Sequence, residues 1–571
     1  MKRTIKLRIN AAKVLWCAVI FVASIAGCGV VSADETPAVN NTIKSGELLK
    51  NPGFEDVVEE HIKSWSAQPF AVIPSDQDAG AGQHSLEITS AQKGFDPIST
   101  QNVTDFKAGQ LYHFSYRVRT AQEDQEYRLY IGIWNDELPK ATWLTGVEIG
   151  WRKGQEKWQD VTFDFTPAAS ANRLMVVMQI KGPGSVWFDD LSLTAAAEEK
   201  LPPALTSYSG SPEFVQIMPD RTFRVQGKPF FPLLIWGWNA SSEEALAKAG
   251  DFGFNVVASP PIETLGLQGA QLWFDMAEKY HLMVAAPSRL QFKDTVPATE
   301  LDAKLSALTP LIKRLAQHPA LFMYNPADEP AWGRYNIEAF AATSHLIRSL
   351  DPNHPIFVTH APRNTIAELA RYNRYLDIGG SDIYPVWKGG IDRHSDLPNK
   401  TLSVVGDETQ KNLEALGDTK PVIETLQAFS WSDGANSKRQ GDPFPTLSQL
   451  RFMAYDAIVS GATGIAFFQD GRYTVLRPEL KPIVRELAAL GETLAGGKIL
   501  STQNVTTTPK LKLLAKEYQG HLMLIAVNTN NQPLIASLNI SSLDSGRFSN
   551  RKIKTLFENS SNTTAFRRRY F

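Results

Sequence analysis

Apolar and polar positions change their period several times along this chain. From 46 to 197, short stretches alternate, as in Leu111-Tyr112-His113-Phe114-Ser115-Tyr116-Arg117-Val118, Tyr127 to Trp134 and Leu174 to Ile180. Gly, Pro, Asp and Asn clusters separate them. A period of two puts successive side chains on opposite faces, which predicts half-buried strands and an all-β sandwich. A Pro/Ser-rich stretch, 198–215, reads as a linker. From 216 to 498, continuous apolar runs alternate with helix-period segments. The eight runs are Phe231 to Trp236, Asn255 to Ala258, Leu282 to Ala286, Leu321 to Tyr324, Ile356 to Thr359, Ile378 to Ile383, Val422 to Leu426 and Gly464 to Phe468. Ser242-Glu243-Glu244 opens one intervening helix, and Leu301 to Ala316 carries apolar residues at 3.6 spacing. Eight such units predict an α/β (β/α)8 TIM barrel with its functional rim at the strands' C-terminal ends. A doubly wound sheet would need a glycine-rich first turn, which this sequence lacks. After Gly496-Gly497 the pattern returns to β, so 499–571 reads as a small C-terminal β domain, incomplete at its end.

Composition adds limits. The 571 residues, 43% hydrophobic and 21% charged, are those of ordinary globular protein. A formal net charge of -2 gives no reason to expect nucleic acid or an anionic membrane as partner. The 10 His show neither His-x-His nor His-Glu-x-x-His spacing, which weakens metal-dependent hydrolysis; no catalytic cofactor is expected.

The leader holds Lys2, Arg3, Lys6, Arg8 and Lys13, followed by an apolar run from Val14 to Ala26. That run is too short for the ~20 residues of a membrane span but suits a signal peptide. It ends in Ile25-Ala26-Gly27-Cys28, which resembles the bacterial lipobox. The resemblance implies a signal over 1–27, diacylation of Cys28, a tether over 28–45 and an exported protein lipid-anchored in the cell envelope. Gly29 after the Cys points to the outer membrane. The alternative is plain secretion, with cleavage after Val31-Ser32-Ala33.

The sandwich opens on Leu49-Lys50-Asn51-Pro52-Gly53-Phe54-Glu55 and closes on Val186-Trp187-Phe188-Asp189-Asp190-Leu191-Ser192-Leu193. This pair resembles the jelly-roll carbohydrate-binding modules of bacterial xylanases and cellulases. The resemblance implies a structural Ca2+ held by Glu55 and Asp190, with surface acids at strand ends as the alternative. Trp65, Trp158 and Trp187 read as core; Trp134 and Trp143, near strand or loop ends, are the stacking candidates for a sugar.

At the barrel rim, strand one ends in Trp236-Gly237-Trp238-Asn239 and strand five in His360. Strand six ends in Ser381-Asp382-Ile383-Tyr384-Pro385-Val386-Trp387 and strand eight in Phe468-Gln469-Asp470. Aromatic faces and carboxylates on one rim suit sugar binding, which makes Trp236, Trp238, His360, Asp382, Tyr384 and Trp387 candidates. Strand four ends in Tyr324-Asn325-Pro326-Ala327-Asp328-Glu329-Pro330. This resembles the Asn-Glu-Pro or Asp-Glu-Pro sequence of clan A glycoside hydrolases. The resemblance implies that Glu329 is the general acid/base and that Asp328 binds substrate beside it. In that clan the nucleophile is a Glu on strand seven, some five residues after Lys-Pro or Arg-Pro. Here Lys420-Pro421 is followed by Leu426 in that slot, flanked by Glu424 and Gln427. Strand parity lets only one of the flanking pair face the mouth. An outward Glu would be an ionisable group under the helix layer, so Glu424 is expected inward as the second catalytic carboxylate. Gln427 in that place would leave a barrel that only binds.

Two readings follow. One is a glycoside hydrolase acting on polysaccharide or oligosaccharide by two carboxylates, in the retaining manner. The other is a non-catalytic, glycan-binding surface lipoprotein.

Overall fold

The computed structural model describes residues 4–9, Leu556, and 46–543 except 60, 68–71, 76–78, 92–95, 138–141, 149, 168–170, 197–200, 209, 239–241, 289, 293–295, 392–394, 434–440, 470–474, 504, 507, 531 and 540–542. Cys28, the tether, Asn239 and Asp470 lie outside the described residues. The chain forms two compact units, divided near residue 200.

The first unit is the expected sandwich. One sheet runs Thr142–Val147, Glu126–Asn135, Arg173–Ile180, Ile98–Val103, Ser66–Ala67; the other runs Gln159–Phe165, Tyr112–Thr120, Gly184–Ala195, Ser85–Ser90, Val72–Ser75. Tyr112–Thr120 shows why: every second residue is buried along its whole length. The inward set, including Phe114, Tyr116, Leu129, Ile131, Val176 and Phe188, makes one core between the sheets. Trp65 belongs to it. Trp158 and Trp187, expected there, do not. Trp187 sits between buried Val186 and Phe188, so the pleat turns its indole outward. There the Arg119 guanidinium lies 4.0 Å from the Trp187 ring and 6.0 Å from that of Trp158.

The second unit is built on a curled parallel sheet. Leu321–Asn325, Met283–Pro287, Val256–Ala258, Leu233–Trp236, Gly464–Phe468, Ile423–Gln427 and Asp382–Ile383 lie side by side in that order. Single parallel bridges, Tyr324 to Ile356, Phe357 to Ile378 and Gly379 to Val422, carry the pairing from strand four through five and six to seven. The eight runs anticipated from sequence thus occupy neighbouring places around one TIM-like sheet, although runs five and six are mostly bridges. Helices cover the outside; Ser242 caps the first, its side chain accepting from the Ala245 N–H. The interior is filled by Leu234, Trp236, Val256, Ala285, Phe322, Phe357, Ile378, Ile423 and Ala466. Phe223 and Phe230, from a small antiparallel sheet before strand one, close its lower end against Phe322, with ring centroids 5.6 and 5.3 Å away.

The 198–215 stretch does not hang free over its described part. Pro202 and Pro203 carbonyls accept hydrogen bonds from Tyr375 and His345, and the Leu205 N–H reaches the Arg374 carbonyl. Tyr208 is hydrogen-bonded to the Val215 and Asn353 carbonyls. Residues 201–208 are therefore a strap on the barrel.

Beyond the last helix, Lys498–Leu500, Leu511–Tyr518 and His521–Asn528 form a three-stranded antiparallel sheet. It packs into the barrel's unit: Ile525 and Val527 join the cluster between strands and helices, and Lys512 Nζ reaches Ser460 Oγ at 2.9 Å and Asp456 Oδ1 at 3.0 Å. Leu534–Asn539 pairs antiparallel with Thr4–Ile9 of the leader.

Candidate functional site

At the end of strand four the chain turns sharply. Asn325 Nδ2 holds the turn by donating to the Ala327 and Phe357 carbonyls, both at 3.1 Å. Glu329 takes a left-handed conformation, φ 49°, which a non-glycine residue adopts only when its surroundings enforce it. Two hydrogen bonds do so: the Glu329 N–H donates to Thr359 O and its carbonyl accepts from the Gly333 N–H, each at 2.8 Å. Pro330 then opens the short helix Pro330–Gly333, which presents Trp332 to solvent.

Strand six supplies the partner. Ser381 Oγ accepts from Asn412 Nδ2 at 2.8 Å on the helix Val404–Ala415, so Ser381 points out of the barrel. Asp382, next in line, points in, and its N–H donates to the His360 carbonyl at 3.0 Å. The Asp382 and Glu329 carboxyls lie close enough to shift one another's titration, and the Tyr384 hydroxyl stands beside Asp382. Two neighbouring carboxyls disfavour each other's ionised form, because two negative charges close together repel. Burial pushes Glu329 above the usual carboxyl range; Asp328 pushes the same way, while the Asp382 hydrogen bond and Arg363 pull back. Burial, with Glu329 and Asp328, holds Asp382 well above its ordinary value. Glu329 and Asp382 are both half-buried, and Asp382 Oδ1 is shut off from solvent.

Aromatic rings wall this dyad. Tyr384 packs against Phe429, Phe468 and Trp431 at 4.9, 5.6 and 6.2 Å. Trp236 lies below in the barrel throat, stacked on Phe357. Arg363 lies 5.5 Å from the Trp332 ring, beside the acids. Trp332, Arg363 and Trp431 were not singled out by sequence. Trp332 stands three residues after Glu329, which is the signal that could have found it.

Four expected site residues, Glu424, Gln427, His360 and Trp238, are placed otherwise. Glu424 does not face the mouth. Val422 and Leu426 belong to the cluster between strands and helices and Ile423 to the barrel interior, so Glu424 shares the outward face. Its carboxyl is fully buried, 3.5 Å from the Ser381 N–H, and is driven well above the ordinary range by burial and by Glu408. The penalty that argued for an inward Glu424 is met instead by holding the group neutral. Gln427 does face inward, but its amide is tied to Val386 N, Val386 O and Phe429 O at 2.7, 2.9 and 3.1 Å, bracing a loop. His360 also points outward: Nε2 meets Asn373 Oδ1 at 2.9 Å, and burial lowers its pKa to about 4. Trp238 follows Gly237, whose φ of 70° redirects the chain, and is buried between strands and helices. Trp387 lies over Gly389, where an added Cβ would stand 2.4 Å from its indole.

In the sandwich, Trp134 and Trp143 do come together. They are paired in register and meet edge to face at 5.3 Å on the outer side of their sheet. Gly132 makes room, since a Cβ there would lie 2.6 Å from the Trp143 ring. Tyr130, on the same face, lies 6.2 Å from Trp143, and Arg173 covers one side of Trp134 at 4.7 Å. Glu55 and Asp190 do not make a cation site. Glu55 accepts from Gln83 N and His84 N, and Asp189 takes the Gly80 and Ala81 N–H groups. Arg117 binds the Gly80 carbonyl and lies 3.3 Å from Asp160 and 3.8 Å from Asp190. A guanidinium already supplies the positive charge there, so these residues do not fit calcium.

Among the described residues one His/carboxylate cluster has metal-like spacing, Asp275, Glu278 and His318. His318 Nδ1 accepts from the Ala320 N–H, so its Nε2 carries the proton and donates to Asp275 at 3.0 Å. That nitrogen has no lone pair for a metal.

Residues 46–185 match the family model described as "Carbohydrate binding domain". No curated protein matches the chain. Solved structures resemble it distantly. The CBM22-1–GH10 modules of Clostridium thermocellum endo-1,4-beta-D-xylanase 10B, complexed with xylohexaose, are 12% identical over 75% of this chain and 94% of that one, TM-score 0.29. A Cellvibrio japonicus xylanase in complex with xylopentaose is 10% identical over 75% and 97%, TM-score 0.30. The beta-galactosidase of Marinomonas ef1 is 10% identical over 46% and 60%, TM-score 0.37. At such identities and scores these likenesses do not assign an activity.

Proposed function

We propose that this chain is an exported, lipid-anchored, polysaccharide-handling protein whose sandwich binds glycan and whose barrel hydrolyses glycosidic bonds, with Glu329 as the general acid. One observation carries the reading: the half-buried Glu329 carboxyl, held above the usual range, stands at an aromatic-walled mouth against a second carboxyl. A glycosidic oxygen leaves only when protonated, so the acid must hold its proton more tightly than a free carboxyl, and burial beside Asp328 pushes Glu329 in that direction. The exposed Trp332 beside it offers an apolar face to a sugar ring. The match of residues 46–185 to a carbohydrate-binding domain supports a glycan ligand.

The test is release of reducing ends from soluble xylan, β-galactan, mannan, laminarin, pullulan and chitosan by the full chain. Cleavage of one of these, lost in Glu329→Gln with glycan retention intact, is the expected result. Retention without cleavage would favour the second reading, glycan capture. The outward Glu424 favours that reading, because the strand-seven carboxylate of the resembling clan is then absent from the mouth.

A further inference from the structure

The Lys420-Pro421 pair has a place of its own in the fold. Both residues precede strand seven, and Leu376 and Asp377 lead into strand six. All four therefore lie at the lower end of the barrel, away from the candidate acids at the strands' other ends. There the strap 201–208 borders a cavity of about 470 Å³, a size usual for small-molecule sites. Strap residues 204–208 form one wall, and Ile217, Leu376 and Leu416 supply apolar surface. Three charged side chains line the cavity: Arg374, Asp377 and Lys420. Asp377 is committed, accepting from the Arg348 guanidinium and, at 2.8 Å, from the Ile356 N–H. Lys420 Nζ donates to the Asn373 and Leu376 carbonyls at 2.6 and 2.8 Å. An ammonium has three N–H groups, so one is left without a partner among the described residues. The exposed Arg374 guanidinium has no carboxylate at ion-pair distance among the described residues either. Burial disfavours the Lys420 charge more than Asp377 favours it, and Arg348 acts in the same direction as burial.

We infer that this cavity is a second binding site, separate from the barrel mouth, for a small anion: a carboxylate or phosphate group carried on a sugar-sized body. Lys420 and Arg374 hold the charged group, and Ile217, Leu376 and Leu416 meet the body. A half-buried cation without a counter-charge is costly, and an anion against it removes that cost through charge-assisted hydrogen bonds. Because strap residues form one wall, the bound anion also ties the strap to the barrel. The site does not depend on what the mouth does.

Isothermal titration calorimetry of the full chain with glucuronate, glucose 6-phosphate and glucose is the test. The first offers a carboxylate, the second a phosphate, and glucose a similar body without charge. At least one of the two anions is expected to bind below ~10 mM while glucose does not, and the one that binds names the source of the charge. Arg374→Gln, at an exposed position, is expected to weaken that binding ~10-fold with Tm unchanged, and Lys420→Gln to weaken it at least as much. Amide hydrogen exchange in 201–208 is expected to slow when the anion is bound, which binding at the barrel mouth would not produce. Should Lys420→Gln fail to fold, Arg374→Gln decides. Equal binding of glucose, no binding of either anion at ~10 mM, unchanged affinity in Arg374→Gln, or unchanged exchange in 201–208 overturns this inference and leaves the hydrolase reading where it stood.

Discussion

His360 shows how a residue chosen for its chemistry can have a different job. It stands at a strand end, but its imidazole is buried against Asn373 and kept neutral, its pKa lowered to about 4. An unfolded chain would protonate the same ring near 6.5. The folded state therefore binds fewer protons over that interval, and stability falls as pH drops from about 6.5 towards 4. Denaturant unfolding of His360→Gln at pH 4 to 7 should show the acid-side loss reduced by up to about 3 kcal/mol. An unchanged acid limb would mean that the ring is protonated in the fold. The exposed aromatics lead to binding predictions. Trp134→Ala and Trp143→Ala should each weaken retention on the glycan bound by the sandwich by ~1–2 kcal/mol, read by affinity electrophoresis. Trp332→Ala should raise KM of the barrel reaction several-fold without altering that retention.

Strand seven is decided at the level of the element. Its parity is fixed by which alternate set the helices cover, and Val422, Glu424 and Leu426 are the covered set. Glu424→Gln replaces a neutral buried carboxyl by a neutral amide of the same shape. Turnover should stay within about twofold, and stability should not fall. A loss of activity comparable to that of Glu329→Gln would place Glu424 back in the reaction. The strap 201–208 belongs to the same scale. Its composition suggests a flexible tether, and its backbone hydrogen bonds to Tyr375, His345 and Arg374 make it part of the barrel. Composition reports what a segment cannot bury by itself, not what a neighbouring surface offers it.

At the scale of the whole molecule the remaining question is where the chain is held. Lipidation at Cys28 would make one residue the membrane attachment, and Cys28→Ala should move the protein to the soluble fraction without changing glycan retention. Mass spectrometry of the N-terminus is expected to find an acylated Cys28. Removal of the leader would also remove Thr4–Ile9 and leave the Leu534–Asn539 edge unpaired. Membrane fractionation unchanged by Cys28→Ala, or an intact N-terminus retaining Thr4–Ile9, would count against the anchor.

Periodicity is local, so the sequence by itself determined the sandwich, the order of eight strand runs around the barrel, and the rim positions of Glu329, Asp382 and Tyr384. Each follows from spacing of 2 or 3.6 residues and from the turn chemistry of Pro326 and Pro330, which neighbouring residues along the chain enforce. Tertiary structure alone decided which carboxyl meets Glu329. Parity permits either face of strand seven, and the choice depends on whether helices separated from it in sequence bury Glu424 in a place where it stays neutral. It also decided that Arg117 occupies the place expected for a cation. A guanidinium 37 residues from the loop carbonyl it binds leaves no local mark in the pattern, because long-range pairing of charge is set by how strands stack and not by their spacing along the chain.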